Sequence, residues 1–132
     1  MSPAKLAFAL ALTLSSVAPA LAQDRGVIPV RNYLLYVNTA AAQTQTTPDK
    51  AFITGLNAGL FVSAYVANLT MFEAGEKPTY CLADDPAITE PVFTALFVAY
   101  LREKMSLDQE YEERLLPAAF YDFLGEAFPC EP

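Results

Sequence analysis

A chain of 132 residues carrying 15 Asp and Glu against 8 Lys and Arg, formal net charge −7, is poorly suited to nucleic acid or anionic lipid. It is long enough for one small domain and no more. It contains no His, which excludes Ser-His-Asp triads, imidazole acid-base catalysis and His metal sites. No phosphate-cradling Gly-rich loop or calcium loop is present either, so the expectation is a protein without catalytic residues, metal or cofactor.

The first 22 residues combine Lys5, an apolar run from Leu6 and a small-x-small end at Ala20-Leu21-Ala22. They read as a signal peptide cleaved after Ala22, which sends residues 23–132 to an oxidising compartment as a single domain. Removal of Lys5 leaves seven basic against fifteen acidic residues, a net charge of −8.

The mature chain opens with Val30, Leu34, Val37 and Ala41 at helical spacing, flanked by Tyr33 and Tyr36, which predicts a first helix. Thr47-Pro48-Asp49 offers an N-cap and a first-turn Pro for a second. That second segment runs from Ala51 to Phe72 without a charge, long enough for a membrane span. Its mid-helix amides Asn57 and Asn68 and the acidic chain around it favour the core helix of a soluble domain instead. Within it Ala51, Gly55, Gly59, Ser63 and Ala67 recur every four residues, a small-residue ridge expected to pack closely on a neighbouring helix. Asn57 and Asn68 share one side and are expected to bond a neighbouring segment or face water.

Thr89-Glu90-Pro91 opens a third predicted helix, with Val92, Leu96, Ala99, Phe93 and Tyr100 on its apolar side and Arg102 and Lys104 near its carbonyl end. The run Asp108–Arg114 reads as a solvated turn or short helix, and Pro117 starts the last helix, closed by Pro129. The paired acids Asp84-Asp85 and Glu112-Glu113 read as solvated surface and not as a catalytic dyad. Nothing alternates with period two over a useful length. The expected class is all-α, a small disulfide-linked bundle of four to five helices. The two remaining cysteines, Cys81 and Cys130, favour one disulfide whose loop of about fifty residues would contribute about 4 kcal/mol.

An ordered set of segments carries a resemblance. "FITGLNAG" opens a helix, "KPTYC" follows, then "VAYL" within a helix, then "LGEAFPC" near the end. Together, over about residues 50–130, they resemble the Rap/Tai family, small periplasmic immunity proteins against type VI secretion effectors, the Tai branch against peptidoglycan amidases. The resemblance implies that Gly55 and Gly59 lie on the family's glycine-bearing helix, that Cys81 and Cys130 form its disulfide, and that Tyr100, Leu101 and Leu124 hold its helix positions. The chain departs in placing Leu82-Ala83-Asp84-Asp85 before Pro86, and in having no further cysteine pair.

The implied function is steric inhibition of a cell-wall-degrading effector, with no nucleic acid partner and no stable membrane insertion, and with self-association left open. The expected contacts are the segments 72–86 and 108–114, above all Glu73, Glu76, Lys77, Asp84 and Asp85, since loops on a rigid frame commonly carry binding. The alternatives are an acid-stress chaperone of the HdeA-like type, in which protonated carboxylates loosen the helices, and a structural protein of the envelope.

Overall fold

The computed structural model describes residues 27–82 and 86–131, so the predicted signal peptide lies outside the described residues. The fold is all-α: α1 (Val30–Ala42), α2 (Pro48–Glu73), α3 (Glu90–Leu107) and α4 (Leu116–Ala127), with a 3-10 turn at Gln109–Glu113 between the last two. The disulfide joins Cys81, ahead of α3, to Cys130, just past α4, so the C-terminal helix pair is closed into one loop as expected.

Local chemistry sets the helix starts. Thr47 accepts the Lys50 backbone N–H at 3.2 Å through its hydroxyl, and Pro48 occupies the first turn, where no intrahelical donor is needed. Thr47→Ala removes that acceptor and is expected to lower stability by about 1 kcal/mol in urea unfolding, with Thr47→Ser retaining most of it. Thr89 and Pro91 mark the start of α3, where Glu90 sits in the positively polarised first turn. The segment before α1 is clipped to the start of α4 by an antiparallel pair: Val30 N–H donates to Arg114 C=O and Leu116 N–H to Ile28 C=O, each at 2.9 Å.

An aromatic cluster forms the centre of the core. Phe93 and Phe97 of α3 meet Phe120 and Phe123 of α4 with ring centroids 5.0–5.9 Å apart, and Phe128 stacks on Phe93. Tyr33 of α1 closes the cluster 5.5 Å from Phe97. Tilted and edge-on ring pairs add attraction beyond the area they bury. This cluster corrects the predicted face of α3. Phe93, Phe97, Val98 and Leu101 are buried, while Val92 and Leu96 are each 42% exposed and Ala99 is open. Two adjacent i, i+4 rows competed for the core, and the row with two rings removes more apolar surface from water. A similar one-residue shift occurs in α1, where Ala40 is buried and Ala41 exposed.

The larger correction concerns α2. Its charge-free sequence predicts a surrounded helix, yet only Ile53, Ala64 and Asn68 of its 26 residues are buried. α1 and α3 cover one side, with Phe61 against Phe93 at 5.3 Å, the chain at Tyr80–Leu82 covers Ala64 and Asn68, and the opposite side is open. Accordingly the ridge of Gly55, Gly59 and Ser63 is not a packing ridge within the monomer. All three are exposed, and a Cβ placed on Gly55 or Gly59 would meet nothing within 4 Å.

Candidate partner-binding surface

Two features mark the surface beside α2: a pinned loop after the helix and an open apolar groove. The loop begins where Gly75, at φ +70°, ends α2 in a conformation that a side chain would strain. Gly75 N–H bonds to Phe72 C=O and Glu76 N–H to Met71 C=O, both at 3.0 Å, satisfying carbonyls that the helix end would otherwise leave unpaired. Four hydrogen bonds and the disulfide fix residues 80–82. The fully buried Asn68 donates through Nδ2 to Tyr80 C=O and accepts Leu82 N–H at 3.0 Å on Oδ1. Tyr80 turns its hydroxyl back to Ala64 C=O at 2.8 Å. Cys81 N–H donates to Phe128 C=O at 2.8 Å, and the disulfide links the same two stretches of chain covalently.

Of the predicted contact residues, Glu73, Glu76 and Lys77 are exposed on or beside this loop. Asp84 and Asp85 lie outside the described residues. The second predicted segment, Asp108–Arg114, is a separate 3-10 turn partly tied down, since Arg114 pairs with Asp122 at 2.5 Å and Arg31 with Glu113. Neither Asn of the α2 stripe is free, because Asn57 Oδ1 accepts the Tyr33 hydroxyl at 2.8 Å. Burial pushes that Tyr33 phenol well above its ordinary value, so it stays a neutral donor.

The groove has a volume of about 920 Å³ and runs between α2 and α4. Phe52, Leu56, Leu60 and Met71 form one wall, Pro117, Phe120 and Tyr121 the other, with Tyr80 at one end and Ile28 beside the α4 start. Sequence reasoning missed it. Its signal was the same charge-free run of α2, which reads in sequence as wholly internal core. A smaller cleft of about 510 Å³ sits directly at the disulfide between Lys77, Pro78 and Glu131.

On the opposite flank, Lys104 Nζ reaches Glu126 at 2.8 Å, and the Tyr100 hydroxyl donates to the same carboxylate at 3.1 Å. The hydrogen bond from Lys104 holds the Glu126 carboxyl below the usual range. Its folded-state pKa being depressed, the link is complete above the unfolded value and is lost as pH falls through the lowered one. Among the described residues no group of three or more acidic or cysteine side chains is arranged to hold a metal ion.

Compared with known proteins, the chain matches no family model, no curated protein and no solved structure.

Proposed function

We propose that the chain is a non-catalytic periplasmic immunity protein that binds a type VI secretion effector, a peptidoglycan amidase, and blocks its cleft sterically. The observation that carries this reading is the loop at 74–82. It presents Glu76 and Lys77 outward while Asn68, Tyr80 and the disulfide hold its backbone from behind. A segment already fixed in one shape loses little conformational entropy on docking, which favours tight inhibition by a small protein. The ordered resemblance to Rap/Tai proteins supplies the class of partner, and the acidic residues Glu73 and Glu76 suit a basic rim on the enzyme. Secretion to the periplasm rests on the leader sequence and is tested by N-terminal sequencing of the mature protein, which should begin at Gln23.

The direct test is co-purification with the product of a neighbouring secreted-amidase gene, followed by an amidase assay with purified proteins. Binding with loss of amidase activity is expected, and Glu73→Lys with Glu76→Lys should weaken it by about ten- to a hundredfold, mainly through slower association and added repulsion. If no amidase of the same strain binds the wild-type protein, this reading fails.

The open apolar groove favours a second reading, a chaperone that shields aggregation-prone segments. Because the groove is already exposed beside a folded core, such activity would not need acid unfolding. Suppression of client aggregation at neutral as well as low pH would support it over the acid-triggered HdeA-like type. An envelope structural role is left if neither binding nor shielding is measured.

A further inference from the structure

The chain is acidic overall, yet no Asp or Glu occurs from Arg25 to Pro48, a stretch that includes all of α1. A cleft of about 390 Å³ opens there between α1 and α3, lined by Arg31, Leu34, Leu35 and Asn38 on one side and by Arg102 and Met105 on the other. The four α1 residues follow at i, i+3, i+4 and i+7, so they share one helix face. Leu34 is buried, whereas Leu35 is 64% exposed beside it.

Both guanidinium groups of this cleft are held by neighbours. Arg102 Nη2 donates to Asn38 Oδ1 at 2.8 Å, tying α3 to α1, and Arg31 Nη1 pairs with Glu113 of the 3-10 turn. Each contact engages one nitrogen of a planar fork with five N–H donors, so most of each fork remains for an incoming acceptor. The Arg31 pair already seats one carboxylate here, supplied by the chain itself. Fixed arginines lose little freedom when a ligand arrives, and Leu35 and Met105 beside them offer an apolar bed.

We propose that this cleft binds a small organic carboxylate, its charged end received by Arg31 and Arg102 and its apolar body laid on Leu35 and Met105. A carboxylate matches the guanidinium fork and brings a single negative charge. A phosphate brings nearly two toward a chain of formal net charge −7, which repels it more strongly. The volume lies near the lower end of the roughly 300–1,000 Å³ of small-molecule sites, which suits one branched side chain or a short alkyl chain. Two sources share that chemistry: the carboxyl terminus of a peptide ending in an apolar residue, and a fatty acid. The cleft uses no residue of the loop at 74–82 or of the groove between α2 and α4, so the inference does not depend on effector binding.

Titration of the purified protein with N-acetyl-leucine and with octanoate, followed by backbone-amide NMR shifts, tests it, with N-acetyl-leucinamide and inorganic phosphate as controls. Saturable shifts at Leu35, Arg102 and Met105 are expected for at least one of the two acids, with a Kd of about 1 mM. The neutral amide should bind about fivefold more weakly or worse, and Arg31→Gln and Arg102→Gln should each weaken the acid by about fivefold, as for a partly exposed ion pair. Arg102→Lys keeps the charge without the fork and should recover only part of the loss. Both arginines are exposed, so circular dichroism should report unchanged helix content in every variant. Tighter binding of N-acetyl-leucine assigns the cleft to a peptide terminus, and tighter binding of octanoate to a fatty acid. No saturation by either acid up to about 10 mM overturns the inference. So does equal binding of the amide or of phosphate, indifference to both Gln variants, or shifts confined to Phe52, Leu60 and Tyr121 of the α2–α4 groove.

Discussion

Removing the Cys81–Cys130 disulfide by paired replacement with Ala is expected to lower the free energy of unfolding by about 4 kcal/mol. The bond spans 49 residues, and on the chain-entropy model a loop of that size strongly restricts the unfolded ensemble. The loss should appear as a lower urea midpoint with a changed slope, because the unlinked chain exposes more surface on unfolding. Native contacts predict where the folded state will loosen first. Cys81 N–H and Phe128 C=O remain bonded only while the two segments stay together, so amide exchange at Cys81 and Leu82 should accelerate before exchange in the Phe93–Phe123 cluster. Equal protection of those amides with and without the bond would show that the hydrogen bonds of Asn68, Tyr80 and Cys81 suffice to hold the loop. For the proposed inhibitor the consequence is direct, since a loosened loop must be reordered on binding and affinity falls with it.

Asn68→Ala is expected to cost about 3 kcal/mol, within the range for leaving buried polar backbone groups without partners. The amide serves Tyr80 C=O through its nitrogen and Leu82 N–H through its oxygen, in a site with no solvent exposure. Alanine is the better helix former by some tenths of a kcal/mol, which offsets only a small part. Asn68→Asp separates the two bonds. The carboxylate still accepts from Leu82 N–H but faces Tyr80 C=O with like charge and adds a buried ionised group, so it should be at least as damaging near neutral pH and partly recover as the acid protonates. Denaturant midpoints for the two variants against wild type check this. An Asn68→Ala protein as stable as wild type would mean that water enters to satisfy both groups.

Much of the frame was legible in the residues. Thr47-Pro48, Thr89-Glu90-Pro91 and Pro117 marked helix starts within a residue of where they fall, because capping and proline chemistry act locally. The single disulfide followed from an even cysteine count of two. The interior of the helices was less legible. On α3 both the Val92–Leu96 and the Phe93–Phe97 rows were apolar, and only the position of α4's rings decided between them. A loop after α2 was readable from the sequence, as was the need of Asn68 for partners, yet nothing there tied Asn68 to Tyr80 and Leu82, which lie 12 and 14 residues further on. The groove between α2 and α4 was not foreseen, since an uncharged helix looks the same in sequence whether its neighbours close around it or diverge.

By itself the amino-acid sequence determined an acidic, His-free chain of helices, with one disulfide and no imidazole chemistry. These depend on composition and on contacts within a few residues, where steric and hydrogen-bonding rules hold regardless of the rest of the molecule. Only the tertiary structure decided which apolar residues are inside. α4 packs its rings on α3 and stays apart from α2, so the run of residues that looked most like a core is left largely exposed along an open groove. Burial is a property of the distance between helices, and that distance is set by which side chains win the centre, a competition that no single helix encodes.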